Sequence, residues 1–236
     1  MEVFMEVFME VFISNNLHNK KGPTMPRQRI IPFQASPAQS KRLVIEQILT
    51  GFVQRLDYLT ARHFQVSVCH LTITLPIKSE NTAKIVGQSI SLLRRKLKAM
   101  EIESQAGWVR EVASDKEHFH IGFMWDSYKI QRALKIAIML NSQLTEALNL
   151  TEHHHCVNVN PPNPILDRQF DLNCVSNQTL KIRKGNPGFK EQRANIIGWL
   201  SYLAKVETKG NWREKHIREF GFSLCNRKGR LNATQS

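Results

Sequence analysis

Long apolar runs, paired cysteines and tyrosines are all scarce in this chain, and each scarcity removes a class of protein. The longest apolar stretch, Ile196 to Ala204, covers nine residues and is interrupted by Ser201 and Tyr202, whereas a helix crossing a bilayer needs about 20. A helical membrane protein is therefore excluded. The four cysteines (Cys69, Cys156, Cys174, Cys225) are widely separated, form no C-x-x-C pair and stand at no zinc-finger spacing from any of the 9 histidines. That argues against a disulfide scaffold and predicts a reducing, cytoplasmic compartment. No GxxxxGK[ST] loop is present, so no nucleotide-driven motor is attached. Tyr58, Tyr128 and Tyr202 are the only tyrosines.

Acidic residues are short relative to basic ones. There are 33 Lys and Arg against 20 Asp and Glu, a net charge of +13, while 42% hydrophobic content is enough to build an ordinary core. From Lys181 onward stand thirteen Lys and Arg but only four Glu. They are interleaved with Gly, Asn, Phe and Trp rather than arrayed along one amphipathic helix, so a polyanion is the expected partner and a membrane is not. Lys181, Arg183, Lys184 and Lys209 are the candidate DNA contacts.

Three domain segments are expected. Residues 1–35 open on a tandem MEVF repeat with neither the basic start nor the cleavage site of a signal peptide. They read as a disordered, repeat-derived extension, and Met25 offers an alternative start. Residues 36–228 form the globular domain, and residues 229–236 a polar tail. Within the domain, Ser36 to Arg62 has Leu43, Ile48, Phe52, Leu56 and Leu59 near helical spacing, with Pro37 in the first turn. Val66 to Leu75 alternates as a strand, with Cys69, Leu71, Ile73 and Leu75 opposite Val68, His70, Thr72 and Thr74. Helices follow at Asn81 to Met100, at Ser127 to Leu148 (Leu134, Ile138 and Leu144 inward) and at Glu191 to Val206, with strands between the first two and near Cys156 to Val159. This order predicts an α+β fold, an antiparallel sheet with helices packed on one face.

The densest chemistry lies in WVREVASDKEHFHIGFMW, Trp108 to Trp125. Strand alternation sends Phe119, Ile121, Phe123 and Trp125 to the core and His118, His120, Gly122 and Met124 to the other face. The two imidazoles then stand about 6.5 to 7 Å apart along the strand, and Gly122 leaves the next place empty. A four-residue hairpin loop at Ser114 to Glu117 would set Ala113 opposite His118 and Glu111 opposite His120. Two imidazoles and a carboxylate suit Mg²⁺ or Mn²⁺ with positions left for a phosphate oxygen. The same register puts Arg110 on the core side, to be relieved by snorkelling or a bulge. An isolated H-x-H pair is ordinarily just surface; the facing Glu111 and the basic charge argue for the site. His153, His154 and His155 are consecutive, cannot all face one ion on regular backbone, and read as non-ligands.

On the C-terminal helix, Ile196, Ile197, Leu200, Leu203 and Ala204 share one side. Tyr202 lies roughly 140° from the centre of that stripe, with Lys205 one turn on, Lys209 beyond and Gly198 one turn back. A phenol with a free pKa near 10 is a weak nucleophile, and an ammonium that favours phenolate or neutralises a phosphate is the partner it needs.

Taken in order, HLTITLP (His70 to Pro76), W-V-x-E (Trp108 to Glu111), H-F-H (His118 to His120) and Y-x-x-K (Tyr202 to Lys205) resemble the HUH endonucleases. Within them, WVRE, HFHIGF and YLAKVETKG resemble the inovirus gene-two replication proteins, the YagK/YfjJ-like domain, over about Phe64 to Trp212. The resemblance implies an RRM-like sheet on which His118, His120 and Glu111 hold Mg²⁺ or Mn²⁺. Tyr202, assisted by Lys205, would attack single-stranded or hairpin origin DNA to leave a 5′-phosphotyrosine and a 3′-OH that primes rolling-circle synthesis in a bacterial or phage-infected cell. Host replication proteins would be partners. Tyr58 and Tyr128 lack a lysine three residues on. Two alternatives stay open: a non-catalytic DNA-binding or regulatory prophage remnant, and a single-tyrosine transposase or relaxase.

Overall fold

Two-residue alternation and helical periodicity assign most of the chain. The computed structural model describes residues 29–34, 42–75, 81–113, 116–150, 154–160, 175–176, 179–205 and 220–225. Residues 1–28, Cys174, Lys209 and residues 229–236 lie outside them. The elements are β1 (Ile30–Phe33), β2 (Arg42–Ile45), α1 (Glu46–Arg62), β3 (Gln65–Thr74), α2 (Thr82–Ala99), β4 (Ser104–Ala113), β5 (Lys116–Asp126), α3 (Ala133–Ala147), β6 (Val157–Asn160), β7 (Val175–Ser176), β8 (Thr179–Arg183), α4 (Phe189–Leu203) and β9 (Phe220–Phe222). No helix among the described residues is long and apolar enough to cross a membrane.

The fold is α+β, with helices packed on an antiparallel sheet of order β7-β8-β3-β5-β4-β9. Strand β6 also pairs with β3, at His70 to Ile73, while β8 pairs at Gln65 to Val68. The run β3-α2-β4-β5-α3-β6 is a split βαβ unit with strand order β6-β3-β5-β4. Its alternating apolar positions behave as the sequence predicts. Cys69, Leu71, Ile73, Trp108, Phe119, Ile121, Phe123 and Trp125 bury one face beneath α2 and α3.

Helix coverage goes further than the expected single face. Val66, Val68, Val109, Met124, Leu180 and Ile182 form a second core on the opposite face, beneath α1 and α4. The sheet carries apolar residues on both sides over half its length, and burial of both halves needs a layer on each.

Three further expectations change. The first long helix begins at Glu46, because Arg42–Ile45 is extended and pairs with β1, Ile30 facing Ile45 and Ile31 facing Val44. β-Branched Val and Ile favour that pairing over helix, and it leaves Leu43 exposed. It also ties Ile30–Phe33, residues read as extension, into the fold. On α3 the sheet takes the stripe Ala133, Ile136, Ala137, Leu140 and Leu144; Leu134 and Ile138 stand 57% and 61% exposed. Finally, α4 stops at Leu203, and Lys205 leaves the helix to bridge Val44.

The layer formed by α1 and α4 is seated on glycines. Gly107 and Gly122 face each other across β4 and β5, and a Cβ at Gly122 would lie 2.5 Å from Phe52 Cε1 and 2.9 Å from Leu200 Cδ2. The place read as empty is therefore occupied by the rings and methyls of the helices. Phe52 packs edge-on to Phe222, centroids 5.1 Å apart, and Arg55 on the same helix donates to the Ser223 carbonyl at 2.7 Å. Replacing Gly122 by Ala should cost about 1–3 kcal/mol through overpacking, read as a lowered urea midpoint with unchanged slope. A midpoint equal to wild type would mean the helices yield without penalty.

Candidate active site

On the face beneath α1 and α4, three strands change character at one level. Val68 gives way to His70, Thr72 and Thr74 on β3; Met124 and Gly122 give way to His120 and His118 on β5; Gly107 and Val109 give way to Glu111 on β4. Because cross-strand partners share a face, these side chains meet in one polar field. Strand β6 extends it, since Val157 and Val159 pack on the opposite core and so turn Asn158 and Asn160 to this side.

The hairpin register differs from the sequence expectation by two residues. Ala113 faces Lys116, Glu111 faces His118 and Val109 faces His120, so the paired register closes to within two residues along the sequence. A shift of two preserves the face. Glu111 reaches His120 diagonally, Oε2 to Nε2 at 3.1 Å. Arg110 does lie on the other side, where it pairs with Glu117, whose carboxylate also accepts from Thr82 Oγ1 at 3.0 Å. Neither a bulge nor snorkelling is required.

His120 is the hub. Its Nε2 addresses Glu111, while its Nδ1 stands 2.9 Å from His70 Nε2 and 3.2 Å from Thr72 Oγ1. Asn160 donates its amide to Thr72 Oγ1. His118 Nδ1 shares a hydrogen bond with Thr74 Oγ1 at 3.0 Å. His70 is only 6% exposed, with its ring 6.1 Å from Trp199 and 6.2 Å from Tyr202. Lys205 Nζ lies 4.1 Å from the centroid of the Tyr202 ring. Tyr202 and Lys205, singled out from the sequence, thus lie beside the histidine-bearing strands, whereas His70 and Asn160, which also join the polar field, were not singled out. The signal was present in H-x-T-x-T on β3 and N-x-N on β6, polar rows facing the same way as H-x-H.

Whether the donors suit a divalent cation can be tested on their spacing. The 3.1 Å from His120 Nε2 to Glu111 Oε2 matches the roughly 3 Å between adjacent ligands of an octahedral ion with bonds near 2.1 Å. His118 shares their face. Among the described residues no group of three or more His, Cys, Asp or Glu is already gathered to hold an ion. Glu111, His120 and His70 cannot do so as they stand, because His120 uses opposite sides of its ring for the other two. Glu111 and His120 are the two donors at that spacing, and His118 shares their face with its Nδ1 bonded to Thr74.

The remaining predicted residues are dispersed. Lys181 and Arg183 alternate with the buried Leu180 and Ile182, so they leave β8 on the α2/α3 side, at the sheet rim, where Arg183 Nε donates to Gln65 Oε1 at 2.5 Å. Lys184 is exposed just beyond. His154 and His155 are exposed, and His153 lies outside the described residues. Tyr128 is 84% exposed. Tyr58 donates to Glu103 Oε1 at 2.8 Å, and its phenol is pushed above its ordinary value by burial and by that carboxylate. Compared with known proteins, the chain matches no family model, no curated protein and no solved structure.

Glu103, the residue just before β4, bonds to the C-terminal end of α1. Burial works to raise its carboxyl, but hydrogen bonds from Arg62, Tyr58 and His63 outweigh it and hold the group below its ordinary value. A depressed carboxylate contributes stability that is full above about pH 4.5 and lost as pH falls through its folded value. Glu103→Gln should therefore cost about 1.5–3 kcal/mol near pH 7, with the two chains converging below pH 4.5 in denaturation curves. A pH-independent gap would assign the loss to shape instead.

Proposed function

We propose that the chain is an HUH-type nickase and ligase of single-stranded DNA that initiates rolling-circle replication of a phage or mobile element. The observation that carries this reading is the convergence of Tyr202 on the histidine strand. Eighty-two positions separate His120 from Tyr202, yet the ring of Tyr202 lies against His70, which is bonded to His120. Of the residues quoted for the resemblance, His70, Glu111, His118 and His120 share one polar face of the sheet, and the Tyr202 ring lies beside His70.

In this reaction Tyr202 Oη attacks the scissile phosphorus. The new Tyr–O–P bond forms as the P–O3′ bond breaks, the departing 3′ oxygen takes up a proton, and the phenolic proton passes to solvent. Bond energy is conserved in the phosphotyrosine, so the reverse attack by a 3′-OH rejoins the strand without a nucleotide cofactor. Lys205, beside the ring, neutralises charge on the attacked phosphate. Glu111, His118 and His120 would hold a Mg²⁺ or Mn²⁺ ion, which when bound would supply Lewis-acid polarisation of that phosphate. Lys181, Arg183 and Lys184 serve strand binding at the β8 rim, so a bound strand passes from Tyr202 around that edge.

Incubation with single-stranded origin DNA and Mn²⁺, followed by a denaturing gel, tests the proposal. Wild type should form a covalent adduct, Tyr202→Phe none, and Lys205→Ala an adduct formed about 10²- to 10⁴-fold more slowly. An adduct that survives Tyr202→Phe and maps to Tyr58 or Tyr128 would reject the assignment. DNA binding without any wild-type adduct would favour the non-catalytic binding protein. DNA affinity should also fall steeply with salt, and charge reversal at Lys181, Arg183 and Lys184 should reduce the slope by about one unit per lost phosphate contact. An unchanged slope would move the binding surface to the Arg94, Arg95 and Lys96 segment of α2.

A further inference from the structure

The role of His70 is unassigned by the reaction above, although it is the most buried histidine of the polar field. We propose that His70 is a positioning residue for His120, selecting the imidazole nitrogen that His120 presents to a divalent cation; this rests on the metal reading of Glu111, His118 and His120. The argument is geometric. His70 Nε2 lies 2.9 Å from His120 Nδ1, on the side of the ring away from Glu111. With the proton of a neutral His120 on Nε2, that hydrogen would go to Glu111 and Nδ1 would accept from His70 Nε2–H, while the Asn160 amide, 3.4 Å from His70 Nε2, favours an accepting Nε2 instead. An ion taken at Nε2 requires the proton of His120 to sit on Nδ1, and His70 Nε2 then becomes its acceptor, with the His70 proton on Nδ1. Neither imidazole changes charge.

The acceptor is held rigidly, because the His70 ring is packed at 6.1 Å from Trp199 and 6.2 Å from Tyr202. Thr72 Oγ1 is the alternative partner of the same nitrogen, but it is farther, at 3.2 Å, and already receives the Asn160 amide. A ligating histidine whose other nitrogen is hydrogen-bonded is a more basic and better oriented ligand, and losing such a partner typically lowers metal affinity about 10–100-fold. His70 itself is not a ligand: one ion cannot take His120 at Nε2 and also reach a ring bonded to Nδ1.

The experiment measures Mn²⁺ affinity of the full chain without DNA, by calorimetric titration. A Gln side chain carries an acceptor at the reach of Nε2, an Asn only at the reach of Nδ1, and a Phe keeps the ring without any acceptor. His70→Phe and His70→Asn should weaken Mn²⁺ binding about 10–100-fold, whereas His70→Gln should stay within about threefold of wild type. A purely structural role would reverse the order, with Phe best. Equal affinity in wild type and His70→Phe, or equal loss in Gln and Asn, would overturn the proposal. A second measurement needs no variant: in the Mg²⁺-loaded, ¹⁵N-histidine-labelled wild type, long-range ¹H–¹⁵N spectra should show the His120 proton on Nδ1, and a proton on Nε2 would overturn the proposal. Wild type that binds no Mn²⁺ and forms no DNA adduct would reject the nickase reading together with this one. Wild type that does both, with His70→Phe unchanged, would reject this one alone.

Discussion

Everything on the functional face depends on two missing side chains. Gly107 and Gly122, opposite each other on β4 and β5, let Phe52 of α1 and Leu200 of α4 descend to the sheet surface. Gly122 also faces His70 on β3, and Leu200 precedes Tyr202 by two residues. The seat that accepts Leu200 is thus next to His70, which the Tyr202 ring approaches. A larger residue at either glycine lifts the helix layer, and a lifted layer carries Tyr202 away from His70.

The face is divided along its strands, apolar under α1 and α4 and polar beyond them. A polar row of this kind is costly to bury unless each group is satisfied. Here the partners come from adjacent strands: Glu111 and His70 for His120, Thr74 for His118, Asn160 for Thr72. The network orients His120 between Glu111 and His70, and His118 against Thr74. The N-terminal ribbon contributes at the other end, since Val44 bridges Lys205 and Ile45 N–H donates to the Ala204 carbonyl. Lys205 is placed over Tyr202 by that pairing, where the sequence had placed it by helical continuation.

Local pattern was enough to read much of this molecule. Period-two alternation in HLTIT and HFHIGFMW assigned each side chain of β3 and β5 to its face, because a strand offers only two directions. The same rule put Glu111 with the histidines although the loop length was misjudged, since an error of two residues keeps parity. Helical periodicity likewise identified Tyr202 as the residue of α4 turned from the apolar stripe. That two imidazoles and a carboxylate share one face of the sheet followed from residue type and order.

Tertiary structure decided what depends on a second surface. Nothing local distinguishes Leu134 and Ile138 from Ile136 and Leu140 on α3; only the position of the sheet selects which row is buried. Arg42 to Ile45 reads as helix or strand until Ile30 and Ile31 arrive to pair with it. His70 was one polar residue among three in its row, and its importance arises from β5 bringing His120 to one side and α4 bringing Tyr202 to another. Sequence determines the faces because alternation is a property of neighbouring peptide units, whereas the meeting of two faces is set by long-range packing against groups as small as a glycine hydrogen.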